Sequence, residues 1–517
     1  MTASPGTLSD AAASRLLAQA STGATPEQLE RVKALGAAGW LDEQFDLPPS
    51  GSRWDWLKAR GYDAPAFRNG QNGFDAAAWR KLIAAPDTLR QRVTLALSEI
   101  VVVSMEGLNT AWRGFAGAAW LDLLEAHAFG NVRSLLGAVS TSLQMGVYLT
   151  YRGNARANPA TGTLPDENYA RELLQLFTIG LVELAPDGTP RQAGGRLLET
   201  YTQDDITGLA RVFTGWDQDL SGSGAQTPDY QRRPMIQVAS RYESGAKSFL
   251  GLTIPAGVSA ASALARTLDH LCAHPNVGPF WSRQLIQRLV KSNPSAPYVG
   301  RVAQVFADDG TGQRGNLRAV VRAILLDDEA RADPAPQQPT AGKLREPILR
   351  LTAWARAFGA TSPSDAWAIG VTSNPGNSLG QSPLRAPSVF NFFRPGYAPP
   401  GAAFAPFAAA GLVAPEFQLA NESSVVGYLN TMQSVIANGR GDVRADYSAW
   451  RPLADDPPAL VARLDMLLAA GQLQPATRAT IATAVGAMPA GSEAARGSRV
   501  HAAVLLVMAS PEFLVVK

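Results

Sequence analysis

The 517-residue chain is poor in the residues that build disulfides and most metal centres. Its single cysteine, Cys272, excludes an intramolecular disulfide and an all-cysteine metal site. Only four histidines are present, which argues against a histidine-rich metal centre. No apolar run approaches the roughly 20 residues that cross a bilayer. We therefore predict no membrane span, and no metal site built from cysteine or histidine.

Neither sign of charge dominates the chain. Lys and Arg total 46 and Asp and Glu total 44, which leaves a formal net charge of +2. A general nucleic-acid binder needs a basic surplus for phosphate contacts, so we predict no nucleic-acid partner. Hydrophobic residues make up 46% and charged residues 17% of the chain, a balance that permits a large core and excludes global disorder.

The first residues of the chain carry no clear targeting signal. Residues 1–13 lack a charged segment followed by an apolar one, so they do not resemble a signal peptide. The sequence predicts either a cytoplasmic protein or a periplasmic or secreted one whose leader has been removed. Both compartments stay open at the level of sequence.

Apolar residues recur with helical spacing along most of the chain. For example, Thr25 caps a predicted helix that has proline at its first position and runs to about Phe45. Strand signals are confined to 235–238 and 248–254, which predict one hairpin turning at 243–245. We predict a mainly α protein, a large helical bundle or array with at most a small β-hairpin.

Breaker-rich segments near 225 and 335 suggest three parts. These are an N-terminal helical part at 1–225, a middle part with the hairpin at 226–335, and a C-terminal helical part at 336–517. One continuous domain is the alternative. The N-terminal part carries the two most informative segments of the chain.

The first segment, 165–180, predicts a helix that begins at Asp166 and ends at Gly180. Its helical wheel separates an apolar side from a polar side. The apolar side carries Tyr169, Leu173, Leu174, Leu176 and Phe177, and the polar side carries Glu167, Asn168, Arg171, Glu172, Gln175 and Thr178. The polar side faces either water or a cleft. In a cleft, Arg171 would keep one glutamate ionised while a less solvated carboxyl would keep its proton and act as an acid.

The second segment begins at Tyr201, where Thr202 and Asp205 have the spacing of a capping box. Asp204 and Asp205 either stabilise the positive end of the helix dipole, by about 0.3–1 kcal/mol, or pair with the Glu167/Glu172 side. Two carboxylates roughly 5–10 Å apart would suit glycoside hydrolysis. The same oxygens, with Asn168, could instead bind Ca²⁺ or Mg²⁺.

These two segments carry a resemblance to a known family. Residues 166–173 closely resemble the NENYARE signature of a bacterial family known as domain-of-unknown-function family 1800, and 201–205 with 210–216 resemble its second signature. The resemblance extends from about residue 10 onward, although Tyr242 and Glu243 stand where the family often has His-Asp. It implies no agreed activity. It does imply an exported setting and a sulfatase-like partner protein.

We consider two main functions. The first is a hydrolase acting on a glycan or peptidoglycan-like polymer, with Glu167 or Glu172 as the general acid and Asp204 or Asp205 as the base or nucleophile. Its predicted substrate-binding residues are Asn168, Tyr169, Arg171, Gln175, Tyr201 and Trp216. The alternative is a non-catalytic binding or assembly protein in which the same residues form a buried Arg–carboxylate network. A metal-dependent variant, with Ca²⁺ or Mg²⁺ on these carboxylates, is a third reading.

Overall fold

The computed structural model describes residues 8–333 and 340–517. Within these ranges the chain forms 22 α-helices, which confirms the mainly α prediction. The helices are α1 (Asp10–Ala20), α2 (Pro26–Asp46), α3 (Arg53–Ala59), α4 (Phe74–Ala84), α5 (Thr88–Ser98), α6 (Arg113–Ala126), α7 (Val132–Thr141), α8 (Leu143–Tyr148), α9 (Asn168–Glu172), α10 (Gln203–Ala210), α11 (Ala260–Ala273), α12 (Val277–Leu289), α13 (Ala296–Ala307), α14 (Leu317–Leu326), α15 (Asp328–Arg331), α16 (Pro347–Ala357), α17 (Ala405–Ala409), α18 (Glu422–Asn438), α19 (Pro457–Ala469), α20 (Pro475–Gly486), α21 (Glu493–Ala509) and α22 (Pro511–Leu514).

Polar side chains start many of these helices, as the sequence predicts. The Thr25 side chain accepts a hydrogen bond from the Gln28 backbone N–H, and Pro26 occupies the first turn of α2. Asn131 and Ser295 cap α7 and α13 in the same way. Such caps satisfy backbone donors that have no partner inside the helix, and each stabilises its helix by about 0.5–2 kcal/mol.

The described strands pair into four small antiparallel sheets. They are β1 (Gln192–Ala193) with β2 (Arg196–Leu197), β3 (Trp216–Asp217) with β4 (Ile236–Gln237), β5 (Lys247–Phe249) with β6 (Leu252–Ile254), and β7 (Lys343–Leu344) with β8 (Val515–Val516).

The predicted pairing of 235–238 with 248–254 is therefore wrong. Leu250 and Gly251 both have positive φ, at 46° and 76°, so they form a tight two-residue turn. That turn folds β5 directly back on β6, and the predicted second strand is itself a whole hairpin. The other predicted strand, which becomes β4, pairs with β3 instead.

One hydrophobic cluster runs from Ala13 in α1 to Phe513 in α22. Large rings fill it, and Trp40, Trp79 and Trp354 are at most 1% exposed. Helix α1 packs against both α2 and α19, so early and late parts of the chain are in contact. The division into three parts stays a prediction. Among the described helices, none combines the length and the apolar character that crossing a bilayer requires.

Charged side chains also lie in the interior, around the β7–β8 pair. Lys343 Nζ is 2.8 Å from Glu416 Oε1 and 3.5 Å from Glu346 Oε1. Arg288 Nε lies 3.2 Å from Glu99 Oε2. Burial and the charge of Glu346 raise the pKa of Glu99 well above its ordinary value. Burial would also raise the pKa of Glu346, but the proton held by Glu99 and the charge of Lys343 outweigh it and lower that pKa to about 2.

Two features place α9 and α10, the two signature helices, against each other. Helix α9 continues into a wider π-helical turn, Leu173–Thr178, and packs against α10. Helix α10 in turn packs on β5. This contact needs glycine at position 208, because a Cβ there would lie 1.9 Å from the Ser248 carbonyl oxygen.

Candidate functional site

The first turn of the signature helix is anchored to the loop that follows α8. Asp166 Oδ1 accepts a hydrogen bond from the Asn168 backbone N–H at 2.7 Å, and Oδ2 accepts one from the Thr150 hydroxyl at 2.8 Å. The Asp166 backbone N–H donates to Asn154 Oδ1 at 2.9 Å. The N-cap position of α9 is Glu167, one residue after the predicted Asp166. Asp166 instead fixes the direction of the helix relative to the preceding loop.

Glu167 joins the two signature helices. Its Oε1 accepts a hydrogen bond from the Thr207 hydroxyl at 2.7 Å, and its Oε2 accepts one from the Gln203 amide at 2.8 Å. Arg171 lies 3.5 Å from Oε2 and donates to Gln203 Oε1 at 3.1 Å. We call these four residues the surface ring, because the Arg171 and Glu167 side chains are 41% and 32% exposed.

The surface ring differs from the predicted buried network. Arg171 bridges one carboxylate and one amide, and its guanidinium is in contact with solvent. Sequence reasoning missed Gln203 and Thr207. Their four-residue spacing on a helix places them on one face, and that spacing is the signal that would have found them.

Both carboxylate oxygens of Asp205 accept hydrogen bonds within the fold. The predicted capping box is present: Asp205 Oδ2 accepts hydrogen bonds from the Thr202 N–H and hydroxyl, both at 2.8 Å. Its Oδ1 accepts the Leu250 backbone N–H at 2.6 Å, which ties the β5–β6 turn to α10. Partial burial would raise the pKa of Asp205, but the hydrogen bonds from Leu250 and Thr202 lower it.

Asp204 has the opposite character. Its side chain is exposed at the first turn of α10. It makes no hydrogen bond or ion pair with any residue of 8–333 or 340–517. Of the two aspartates, Asp204 is therefore the one whose oxygens are available to a ligand.

Glu172 is buried without a partner. Only 7% of the residue is exposed, and its Oε2 is enclosed. Within the described ranges, no donor forms a hydrogen bond with either carboxyl oxygen. Burial raises the pKa of Glu172, and the charge of Arg171 opposes that shift only in part. Glu172 therefore loses its proton less readily than an exposed glutamate does, although the sequence pattern places it on the polar side.

Two tyrosines surround Glu172. Burial, and then the charge of Glu172, raise the pKa of Tyr148 to about 12. Burial also raises the pKa of Tyr201, whose hydroxyl lies 3.5 Å from Gln175 Oε1. Tyr148 was missed from sequence, since it ends a different helix and belongs to no motif. We call Glu172, Tyr201 and Gln175 the Glu172 group, because the charge of Glu172 acts on Tyr201 and the Tyr201 hydroxyl reaches Gln175.

The other two aromatic residues predicted to bind substrate, Tyr169 and Trp216, are enclosed by protein. Tyr169 is 0% exposed, stacks on Tyr151 at 4.3 Å between ring centroids, and is 2.7 Å from the Ser140 hydroxyl. Trp216 is 5% exposed and donates its indole N–H to the Val212 carbonyl. An enclosed ring offers no face to a ligand, so the geometry leaves Tyr201 as the ring that can reach one.

Metal ligands are not grouped here. In the described part of the chain, no three His, Cys, Asp or Glu side chains converge closely enough to share an ion. Asn168 donates its side-chain amide to the Thr150 hydroxyl at 3.4 Å. The Ca²⁺ or Mg²⁺ reading stays a prediction.

A comparison with protein families gives one match. The model of the family described as "Protein of unknown function (DUF1800)" matches residues 15–515. No curated protein matches the chain, and no solved structure does.

Proposed function

Because the chain belongs to the DUF1800 family, whose description names no activity, we propose its function from geometry. The protein is a hydrolase that acts on a glycan or peptidoglycan-like polymer, with Glu172 as the general acid. One observation carries this proposal: Glu172 is buried, has a raised pKa and lacks a hydrogen-bond partner in the described chain.

A general acid must hold its proton near the working pH and deliver it to the leaving group. A carboxyl in apolar surroundings meets the first condition, because losing the proton there would leave a poorly solvated charge. A structural carboxyl normally has its oxygens satisfied by donors. The free oxygens of Glu172 fit a group whose partner is a substrate.

Glycoside hydrolysis also requires a second carboxyl group, ionised, as base or nucleophile. Asp205 does not suit this role, since both its oxygens accept hydrogen bonds within the fold. We assign the role to Asp204, which is exposed and unengaged. Glu167 and Arg171 then position the two helices, and Tyr201 with Gln175 contacts the substrate.

The test is turnover of the full-length protein and three variants on soluble polysaccharides and peptidoglycan fragments, measured as new reducing ends. Glu172→Gln should lower turnover by about 10²–10⁴-fold with an unchanged melting temperature. Asp204→Asn should also lower it. Glu27→Gln, an exposed glutamate on α2, is the matched control and should behave as wild type. Equal turnover of Glu172→Gln and wild type, or none by wild type on the whole panel, would overturn the proposal.

The surface ring supports a second candidate, a non-catalytic binding or assembly protein. Its four side chains hold α9 against α10 at the surface, where a partner protein could contact them. The resemblance in sequence implies a sulfatase-like partner. Co-elution with such a protein that is lost in Arg171→Ala, but kept in Glu172→Gln, would favour this candidate over the hydrolase.

The metal-dependent variant has its own measurement. If Ca²⁺ or Mg²⁺ binds the carboxylates of α9 and α10, a chelator should lower the melting temperature, and adding the ion back should restore it. Asp204→Asn should abolish that response. An unchanged melting temperature in chelator counts against this variant and leaves the hydrolase proposal intact.

A further inference from the structure

A cavity of about 390 Å³ is lined by residues outside α9 and α10. Its walls come from α3, α6, the α7–α8 junction and residues 228–234. Ligand pockets in proteins usually measure about 300–1,000 Å³, so this cavity lies near the small end of that range. None of its lining residues belongs to the surface ring or to the Glu172 group.

Apolar side chains form one wall of the cavity. Trp54 is 3% exposed, and its ring packs edge-on against Phe115 with centroids 4.7 Å apart. The Arg232 guanidinium covers Trp54 at 5.0 Å from the ring centroid. The Arg232 side chain is 55% exposed, and Asp229 holds it at 3.3 Å. Trp54 lines the cavity, but the ring face under Arg232 becomes available to a ligand only after that weakly held side chain has moved aside.

Hydrogen-bonding groups without partners surround this wall. Gln144 is 2% exposed and donates its amide to the Gln231 carbonyl at 2.6 Å, while its Oε1 accepts no hydrogen bond from the described residues. The His127 imidazole also lines the cavity and is without a hydrogen bond in the described chain. Burial lowers the pKa of His127, so the ring is neutral at neutral pH and offers one donor and one acceptor.

The charges at the cavity favour an uncharged ligand. Asp55 and Arg232 bring opposite signs to its rim. Arg233 already donates to the Ser221 carbonyl and hydroxyl. Asp122 accepts the Arg53 and Trp54 backbone N–H groups, so it is satisfied within the fold. No surplus of either sign remains to select an anion or a cation.

A sugar ring matches this arrangement, because it has an apolar C–H face and hydroxyls that both donate and accept. We propose that the cavity binds a neutral saccharide of one or two rings. The sugar displaces the Arg232 side chain and packs one face on Trp54. Its hydroxyls bond to Gln144 Oε1, the His127 imidazole and the Thr141 hydroxyl, which also lines the cavity. This site does not rest on the proposed hydrolase, since binding is measured without turnover.

The experiment is calorimetric titration of the full-length protein with glucose, N-acetylglucosamine and their β-1,4-linked dimers. Wild type should show saturable binding of at least one of these sugars and a rise in melting temperature with it. Ala138→Phe, which fills the cavity, and His127→Gln should each weaken binding by about tenfold or more. The matched control is Ala484→Phe, at an exposed alanine of α20, and it should bind as wild type does.

Several outcomes decide the proposal. No saturable heat with any of the four sugars would overturn it, as would equal binding by wild type, Ala138→Phe and His127→Gln. Binding of glucuronate or a nucleoside without binding of neutral sugars would overturn the assigned ligand class. If Ala138→Phe fails to fold, His127→Gln alone decides.

Discussion

Glu167 and Glu172 lie five residues apart on one helix and have opposite environments. Glu167 is partly exposed and accepts hydrogen bonds from Thr207 and Gln203. Glu172 is buried, and its Oε2 is enclosed. Five helical residues rotate a side chain by about 140° beyond a full turn, which turns one glutamate toward α10 and the other toward the interior. The contrast between the two residues defines the candidate acid.

Glu172 should make stability fall as pH rises. Its folded pKa is raised above the ordinary 4.5, so its contribution is complete below that value and is lost as pH increases through the raised pKa. Glu172→Gln keeps the shape and cannot ionise, so we expect it to lose less stability between pH 4 and 8 than wild type. Urea unfolding over this range measures the effect. Identical slopes for the two proteins would show that Glu172 ionises freely.

Asp205 and Asp204 form a natural pair of mutations. Asp205→Ala removes the capping box and the bond to the Leu250 N–H, so it should cost about 0.5–2 kcal/mol of unfolding free energy. Asp204→Ala should change stability by less than about 0.5 kcal/mol, because its side chain makes no contact of this kind. Denaturant titration at neutral pH compares them. A larger loss from Asp204→Ala would contradict the assignment of structural and available carboxylates.

Substitution of the two buried carboxyls, Glu99 and Glu346, should lower the unfolding free energy by unequal amounts. Glu346→Gln removes an anion beside Lys343 in the interior, and we expect a loss of about 3 kcal/mol or more. Glu99→Gln imitates the protonated carboxyl that the fold favours, so it should cost less than about 1 kcal/mol. Urea unfolding near pH 6 gives both values. Equal losses would show that the proton is not held by Glu99.

The same two carboxyls should make stability fall at both low and high pH. The pKa of Glu346 is lowered to about 2, so its contribution is present above its ordinary value and is lost as pH falls from 4.5 toward 2. The pKa of Glu99 is raised, so its contribution is lost as pH rises through that value. Glu99→Gln should therefore flatten the alkaline side of the stability profile and leave the acid side in place.

The surface ring should contribute modestly to the unfolding free energy. Thr207→Val removes one donor to Glu167 and should cost about 0.5–1.5 kcal/mol. Glu167→Gln should cost a similar amount, and the double variant should cost less than the sum, because the two residues share one hydrogen bond. Thermal unfolding of the four proteins completes the cycle. Strict additivity would mean that this hydrogen bond contributes nothing.

Local rules predicted the helices and their ends well, because the signals lie within a few residues. The caps at Thr25 and Thr202 are examples, and both are present in the structure. The cap predicted at Asp166 is off by one residue, because Glu167 occupies the N-cap position. The β-hairpin was misassigned because both patterns were apolar and alternating. The positive φ at Leu250, an unusual residue for that conformation, and at Gly251 makes 247–254 a hairpin by itself.

The site was harder to predict, because burial depends on neighbours distant in sequence. A helical wheel places Glu172 with the polar residues, but the π-helical turn that follows it and the nearby Tyr148 change what surrounds it. The sugar cavity draws on residues between Ser52 and Pro234, with no local motif to mark it. The interior charges meet for the same reason, across separations such as that from Glu99 to Glu346.

The pairing of β7 with β8 has a consequence for synthesis on the ribosome. Lys343 lies in β7, and its strand partner is Val516. A Cβ at position 342 would meet the Val516 carbonyl at 2.1 Å, so this contact is close as well as late in the chain. The backbone of Lys343 therefore gains its strand partner only after more than 170 further residues have been translated. Until Val516 leaves the exit tunnel, we expect β7 to lack its strand partner and to present an unpaired edge of the kind that chaperones cover during synthesis.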